Sequence, residues 1–129
     1  MSYSPDTEWP VEYTDEFETW WERLTEAEQE DVAAKVILLQ RLGPALPRPH
    51  ADVVRSSRYA NMKELRIQHA GRPYRVLYAF DPRRDAVLLI GGDKTGDDRF
   101  YESHVPRAEQ VWERYLTEQR RQREKEKTR

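Results

Sequence analysis

The first part of the chain carries apolar residues with helical spacing. A short strand is predicted over residues 8–13, and Thr14 followed by Asp15 and Glu16 is typical of a helix N-cap with acidic residues in the first turn. The next apolar residues recur at i, i+3, i+4 and i+7, which places them on one face of a helix. They are Phe17, Trp20, Trp21 and Leu24.

A second helix is predicted directly after the first. Thr25 and Glu28 have the spacing of a capping box, and Gly43-Pro44 is a pair that ends a helix. The two helices are expected to form an antiparallel hairpin. Residues 43–61, with three prolines and three arginines, follow neither the helical nor the strand period and are predicted to be an ordered surface loop.

The period changes to two in the middle of the chain. Residues 62–69, 73–80 and 86–90 alternate as antiparallel strands do, with turns predicted at residues 70–71 and 81–85. The glycine-rich residues 91–98 are predicted to be a loop. A last helix, with Pro106 near its first turn, is predicted from the apolar spacing of Ala108, Val111, Trp112, Tyr115 and Leu116.

These elements predict an α+β fold in which the helical hairpin and the C-terminal helix pack on a small, mostly antiparallel sheet. A chain of 129 residues has room for one domain of ordinary size. We expect that domain to span residues 1–119. Residues 120–129 hold six basic and two acidic residues and no apolar one, and are expected to form a charged, disordered tail.

Composition narrows the possible chemistry. The chain has no cysteine, which excludes disulfides and thiolate metal sites, and its three scattered histidines do not form a zinc pattern. We therefore expect neither a metal site nor a cofactor. No apolar stretch approaches the ~20 residues of a membrane span, and the first residues lack the features of a signal peptide, so a cytoplasmic protein without a membrane partner is expected.

The net charge of −2 conceals a strong polarity along the chain. Residues 1–31 hold eleven acidic residues and one arginine, whereas residues 48–84 hold nine basic and three acidic residues. The basic residues can therefore form a local positive surface on a mildly acidic molecule.

The predicted hairpin of residues 62–80 places two arginines side by side. A two-residue turn at Ala70-Gly71, or a four-residue turn over residues 69–72, pairs Arg66 with Arg75, on the same face as Glu64. A three-residue turn would shift the register and break this pairing. The helices are expected to cover the reverse face, which leaves the arginines on an uncovered surface. Like charges directly across a ladder are destabilising, so either Glu64 on the diagonal or an anionic ligand such as a phosphate should compensate them.

Three further residues after the last strand are candidates for the same surface. Lys94 follows the glycine pair, and Tyr101 and His104 lie near the start of the last helix. The glycine-rich loop lacks the spacing of a P-loop, which argues against a nucleoside triphosphate site. Taken singly, Lys94 is typical of a solvated loop lysine, Tyr101 of core packing and His104 of a structural histidine.

An ordered series of segments resembles the RelE/ParE superfamily of type II toxins, and specifically its HigB-like branch. The resemblance covers residues 9–118. It rests on the following segments: Lys63-Glu64-Leu65-Arg66, Tyr74-Arg75-Val76-Leu77-Tyr78-Ala79-Phe80, Val87-Leu88-Leu89-Ile90-Gly91-Gly92-Asp93-Lys94-Thr95, Phe100-Tyr101 and Pro106-Arg107-Ala108. This chain departs from many members in having Asp93-Lys94 instead of two lysines, and in not being strongly basic.

The resemblance implies an RelE-like fold and a metal-independent endoribonuclease that cleaves mRNA, usually on the ribosome. By this resemblance Arg75 would stabilise the phosphate, Arg66 would position it or its neighbour, and Lys94 would neutralise the scissile group. Tyr101 would stack on a base or transfer a proton, which requires cationic neighbours to lower its pKa if it acts as a phenolate. Further RNA-binding candidates are Lys63, Arg72, Glu64 and His104.

The resemblance also implies partners and leaves two alternatives. A co-expressed helix-turn-helix antitoxin is expected to silence the toxin, and operator DNA is expected to be bound only through that antitoxin. One alternative is a non-catalytic, ParE-like inhibitor of DNA gyrase. The other is a degenerate module that only binds nucleic acid or its partner.

Overall fold

The computed structural model describes residues 8–128, so the first seven residues and Arg129 lie outside the description. A five-stranded sheet has the order β1-β5-β4-β3-β2, with β1 parallel to β5 and all other neighbours antiparallel. This confirms the predicted α+β architecture. The elements are β1 (Val11–Tyr13), α1 (Asp15–Glu22), α2 (Glu26–Leu42), β2 (Ala51–Val53), β3 (Lys63–His69), β4 (Arg72–Phe80), β5 (Ala86–Asp93) and α3 (Phe100–Lys127).

The two predicted helix starts are confirmed in atomic detail. Thr14 Oγ1 accepts a hydrogen bond from the N–H of Phe17 at 3.2 Å and donates to the carbonyl of Leu89 at 2.6 Å, which ties the start of α1 to β5. Thr25 and Glu28 form the reciprocal capping box of α2. Gly43, with φ of +56°, follows the end of α2.

Helices cover both faces of the sheet. The face covered by α1 and α2 forms a core with the aromatic residues Phe17, Tyr74 and Tyr78. The other face is covered by α3 through residues that include Val105 and Trp112. The face that carries Arg66 and Arg75 was expected to be uncovered. It is covered in part, because α3 packs on it beside the arginine pair.

The turn between β3 and β4 sets the register of the functional face. Ala70 and Gly71 have φ of +49° and +78°, and a two-residue turn with positive φ at both positions matches the twist of a hairpin. Arg66 consequently pairs directly with Arg75, as predicted. Because strand residues alternate between faces, this one turn also decides which residues share the arginine face.

Two segments predicted as loops belong to the sheet. Residues 51–53 form β2, which pairs with β3; three residues are too few to show a strand period. β5 continues through Gly91 and Gly92 to Asp93, where aromatic side chains approach the strand from both faces. A Cβ atom at Gly91 would lie 2.2 Å from the Trp20 ring, and one at Gly92 would lie 2.8 Å from the Phe100 ring.

The last helix extends further than predicted at both ends. α3 begins at Phe100, six residues before Pro106, because the buried Phe100 and Val105 anchor its first turns in the core. Residues 120–127, predicted to be disordered, continue the helix. Their arginine, glutamate, glutamine and lysine side chains favour a helix without packing, once the preceding turns are in place. The domain boundary at residue 119 stays a prediction. No helix within residues 8–128 has the length and hydropathy of a membrane span.

Candidate active site

Four charged side chains form a lattice on the α3 face of the sheet. Asp52 of β2 lies directly across from Glu64 of β3, and Arg66 of β3 lies directly across from Arg75 of β4. Opposite charges meet on the diagonals, where Arg66 lies 3.2 Å from Asp52 and Arg75 lies 3.2 Å from Glu64. Cross-strand repulsion between like charges is thus offset by the diagonal ion pairs. We call these four residues the charge lattice.

Burial sets Arg66 apart from the other three members of the charge lattice. The side chain of Glu64 is 3% exposed and that of Arg75 is 12% exposed, whereas that of Arg66 is 36% exposed. Glu64 also lies 4.0 Å from Arg66, so it compensates both arginines, as one of the two sequence interpretations predicted. Removing such a buried carboxylate would leave the Arg75 charge without its partner, which is costly in a poorly solvated position.

Asp52 belongs to the charge lattice, although it was not among the site residues predicted from the sequence. It lies in the segment predicted to be a loop, where a lone carboxylate gives no signal. In the structure its Oδ2 accepts from Arg66 and also lies 3.1 Å from Arg48. These two arginines and a backbone hydrogen bond from Val53 lower the pKa of Asp52, although partial burial opposes them; the backbone hydrogen bond is the largest of the lowering contributions. Asp52 is therefore the anion bound to Arg66 in the free protein.

Tyr101 reaches the charge lattice from the first turn of α3. Its hydroxyl donates to Glu64, with the phenol oxygen 2.5 Å from Oε1 and 3.0 Å from Oε2. Burial of the ring and the neighbouring Glu64 carboxylate raise the pKa of Tyr101, and this outweighs the opposing effect of Arg75. The requirement that cations lower this pKa is thus not met, and the phenol keeps its proton at neutral pH.

Lys94 lies beside this phenol, just beyond the end of β5. Its Nζ is 5.7 Å from the centre of the Tyr101 ring, and its backbone N–H donates to the carbonyl of Pro73 at 2.8 Å. The neighbouring Asp93 accepts from Thr95 and lies 3.6 Å from Arg72, so its carboxylate is engaged with other partners. Lys94 and Tyr101 therefore share one edge of the arginine face.

Two predicted RNA-binding residues point away from this site. Lys63 donates to the carbonyl of Pro44 at 3.3 Å, on the side of the sheet covered by α2. Arg72 binds Glu28 of α2 and Tyr74, a residue of the same helix-covered core. The structure brings neither residue to the charge lattice, because strand alternation places both on the opposite face.

His104 is held in a packed position close to the site. Its ring stacks on Phe100, with centroids 3.9 Å apart and an angle of 15° between the planes. Its Nδ1 lies 2.9 Å from the carbonyl of Phe100, and Nε2 lies against Gly92. This arrangement agrees with the structural interpretation of the histidine, which supports the start of α3 and thereby the position of Tyr101.

A small recess of about 200 Å³ opens on the other side of Tyr101. It is lined by Val105 and Pro106 of α3 and by Ser56 of the loop between β2 and β3. Glu109 holds this loop by accepting from the hydroxyl of Ser57 and the N–H of Arg58, both at 2.8 Å. The Tyr101 ring is consequently a wall of an open, mixed polar and apolar recess.

The site as a whole is suited to a phosphate-like anion. Two guanidinium groups and one ammonium group supply positive charge, and a protonated phenol supplies a proton donor beside them. Among residues 8–128, no group of three or more histidine, aspartate or glutamate side chains is arranged to hold a metal ion. The guanidinium, ammonium and phenol groups of this site support charge stabilisation and proton transfer.

Comparisons with known proteins agree on one group of relatives. The family model of phage-derived, Gp49-like proteins matches residues 19–113. A Mycobacterium tuberculosis protein named as toxin HigB3 is 44% identical over 100 residues, which cover 77% of this chain and 86% of that protein. Toxin HigB2 of the same strain is 39% identical over 101 residues, and the match spans half of its length.

Solved structures agree with the fold. The free Escherichia coli toxin RelE, in a variant with two arginines replaced by alanine, gives a TM-score of 0.54 at 10% identity and covers 75% of this chain and 95% of that one. The Mycobacterium tuberculosis toxin–antitoxin complex RelBE2 gives a TM-score of 0.50 at 19% identity, with coverages of 67% and 98%. At these identities the likeness concerns the fold alone.

Proposed function

We propose that this protein is an endoribonuclease that cleaves mRNA on the ribosome. The chain belongs to the Gp49-like family and is a HigB-like toxin of the RelE superfamily, the toxin of a type II toxin–antitoxin system. The observation that carries the proposal is the charge lattice itself. Arg66 and Arg75 lie side by side on neighbouring strands, within reach of a protonated Tyr101 that shares Glu64 with them.

The proposed reaction uses the RNA's own nucleophile. The 2′-hydroxyl attacks the adjacent phosphorus and loses its proton to water, a new P–O2′ bond forms and the P–O5′ bond breaks. The 5′-oxygen takes a proton as it leaves, and the products are a 2′,3′-cyclic phosphate and a 5′-hydroxyl end. Negative charge grows on the non-bridging oxygens in the transition state, where fixed cations stabilise it more than they stabilise the substrate. Arg75, held by Glu64, supplies that fixed charge.

The remaining residues have separate proposed roles. Arg66, the more exposed arginine, binds the incoming phosphate after exchanging its contact with Asp52. Lys94 neutralises the scissile group from its position just beyond the end of β5. Tyr101 donates its proton to the departing 5′-oxygen, because its raised pKa keeps the proton on the phenol until the leaving group takes it. Glu64 is a positioning residue, since its burial keeps it from the substrate.

The partners follow from the same proposal. A helix-turn-helix antitoxin encoded beside the toxin binds and silences it, and operator DNA is contacted through that antitoxin. The proposed place of action is the cytoplasm, where mRNA and ribosomes are found. The recess beside Tyr101 offers a neighbouring base an aromatic surface on which to stack.

The decisive experiment maps RNA ends in cells that express the toxin without an antitoxin. Wild type is expected to arrest growth and to create new transcript ends within minutes, whereas Arg75→Ala is expected to lower cleavage roughly 10²–10³-fold with the fold retained. Arg23→Ala removes an exposed arginine at the end of α1 and is the matched control. Cleavage of purified mRNA with and without ribosomes tests the ribosome requirement.

Two outcomes would contradict the proposal. If Arg75→Ala arrests growth like wild type and DNA gyrase copurifies with the toxin, the protein is a gyrase inhibitor. If the wild-type toxin leaves growth and transcript ends unchanged, it is a binding module without nuclease activity.

A further inference from the structure

The C-terminal part of α3 extends beyond the domain as an exposed helical arm. Gln119 is the last buried residue of α3, and its Nε2 donates to the carboxylate of Asp81 at 2.8 Å. Residues 120–127 continue the helix and are all exposed, so they project by about 12 Å at 1.5 Å per residue. We call residues 120–127 the arm.

The arm concentrates its positive charge on one half of its surface, which we call the basic half. Successive residues of an α-helix are turned by about 100° around its axis, and at that spacing the basic residues of the arm fall within a sector of about 200°. They are Arg120, Arg121, Arg123, Lys125 and Lys127, and Glu124 is the one acidic residue among them. The rest of the circumference holds Gln122 and Glu126 and continues the side on which Gln119 packs. The basic half therefore points away from the domain.

The cations of the basic half are largely without partners. Arg121 lies 3.5 Å from Glu118, and both side chains are about two-thirds exposed. Within residues 8–128, the side chains of the other four basic residues form no ion pair or hydrogen bond. Arg121 and Lys125 lie at i and i+4, a spacing at which like charges destabilise a helix. An anionic partner bound along the basic half would offset this repulsion.

The side chains of the arm select the chemistry of its partner. Residues 117–128 contain no apolar side chain, so the arm has nothing to insert into an apolar groove or a membrane interface. Guanidinium groups match the geometry of phosphate oxygens, and a single row of such contacts fixes a nucleic-acid backbone without reading its bases. The surface therefore fits a rigid array of phosphates, as a double-helical nucleic acid offers.

We propose that the arm binds the phosphate backbone of double-helical RNA, which on the ribosome is ribosomal RNA. This inference rests on the proposed function, because the ribosome is the particle that brings such RNA to the toxin. Arg120 lies 19 positions after Tyr101, which is about 28 Å along the axis of α3. The arm therefore binds RNA away from the cleavage site, and it adds affinity for the ribosome without taking part in the reaction.

Two variants of the full chain separate the position of the charges from their number. The neutral variant combines Arg120→Gln, Arg123→Gln and Lys127→Gln. The exchanged variant combines Arg123→Glu with Glu126→Arg, which keeps the composition and the net charge but places an anion in the basic half. Arginine, lysine, glutamine and glutamate have similar helix propensities, so both arms should stay helical. Fluorescence anisotropy of a short labelled RNA duplex and cosedimentation with purified 30S ribosomal subunits measure binding at several salt concentrations.

We expect the neutral variant to bind the duplex and the 30S subunit roughly tenfold more weakly than wild type. The slope of log affinity against log salt concentration should become shallower by about 2–3, because three phosphate contacts are lost. The exchanged variant should also bind several times more weakly than wild type, although its net charge is unchanged. Both variants should keep the wild-type cleavage rate at saturating ribosome concentration and need more ribosomes to reach half of it.

Other results would overturn the inference. Wild-type affinity in the neutral variant would show that the arm does not bind RNA, and wild-type affinity in the exchanged variant alone would show that only net charge matters. Tighter binding of a DNA duplex of the same sequence, or a loss of affinity for the antitoxin instead of RNA, would assign the arm to another partner. The failure of the nuclease proposal is distinguishable, because it appears as absent cleavage by the wild-type toxin, whereas the arm is judged by binding to a duplex that need not be cleaved.

Discussion

The hydroxyl of Tyr101 donates a hydrogen bond to the carboxylate of Glu64, with oxygens 2.5 Å apart. The two residues are 37 positions apart in the chain and come from α3 and β3, respectively. Because Glu64 also pairs with Arg75, one buried carboxylate positions both the proposed proton donor and the proposed phosphate-binding arginine. In the proposed reaction Tyr101 is thus the acid, Arg75 is the cation, and Glu64 positions them both.

Replacing Glu64 with glutamine is expected to shift the pH dependence of cleavage. The carboxylate helps to raise the pKa of Tyr101, so its neutralisation should lower that pKa. Cleavage that needs the protonated phenol would then be lost at a lower pH, and the alkaline limb of the kcat profile should move to lower pH. Single-turnover cleavage of an RNA substrate across pH measures this limb.

Tyr101→Phe serves as the companion variant. It should lower the rate roughly 10²-fold at pH values below the alkaline limb and remove the limb that belongs to the phenol, while RNA binding is retained. An unchanged limb in Glu64→Gln, together with full activity in Tyr101→Phe, would remove Tyr101 from proton transfer.

Asp52→Asn is expected to tighten RNA binding. The Asp52 carboxylate occupies Arg66 in the free protein, and a phosphate must compete with it. A partly exposed ion pair contributes about 1 kcal/mol or less, so we expect the dissociation constant to fall by roughly two- to fivefold. Filter binding of a labelled RNA to the toxin measures this change.

The control for this prediction is Glu30→Gln, which removes one negative charge from an exposed position of α2. Equal tightening by both variants would mean that net charge alone is responsible. Weaker binding in Asp52→Asn would show that Asp52 orients Arg66 and does not compete for it.

Glu28 is expected to make stability depend on pH in the acid range. The hydrogen bond from Tyr74 is the main reason that the pKa of Glu28 is lowered from 4.5 to about 2. A carboxylate with a lowered folded-state pKa contributes stability above its unfolded pKa, and this contribution is lost as the pH falls through the folded value. Glu28→Gln should therefore lower Tm at neutral pH, and the difference from wild type should narrow between pH 4.5 and about 2.

Thermal unfolding followed by circular dichroism at several pH values tests this prediction. Glu26→Gln, which changes an exposed neighbour in the first turn of α2, is the control and should show a smaller difference. A constant difference in Tm between Glu28→Gln and wild type down to pH 2 would contradict the assignment.

Gly91→Ala is expected to destabilise the fold more than Gly92→Ala. The added Cβ at Gly91 would lie 2.2 Å from the Trp20 ring, whereas at Gly92 its nearest contacts are at 2.8 Å. Overpacking of this kind costs about 1–3 kcal/mol, because rings or backbone must move. Urea unfolding measures the two free energies, and equal stability of Gly91→Ala and wild type would show that Trp20 moves freely.

The helix caps, the main strands and the register of one hairpin could be predicted from the sequence. The caps at Thr14 and Thr25, the strands that flank Ala70-Gly71 and the pairing of Arg66 with Arg75 are all confirmed. Each depends on residues close together in the chain. The segment around Asp52 could not be recognised, because a three-residue strand forms only when β3 offers its edge.

Local sequence sufficed for the period of each main element, the starts of α1 and α2, and the register of one hairpin, because backbone conformation and alternation act over a few residues. Long-range packing was needed to bring Asp52 to Arg66 and Tyr101 to Glu64. Those contacts join residues distant in the chain: the first exists because β2 pairs with β3, and the second because α3 packs on the sheet.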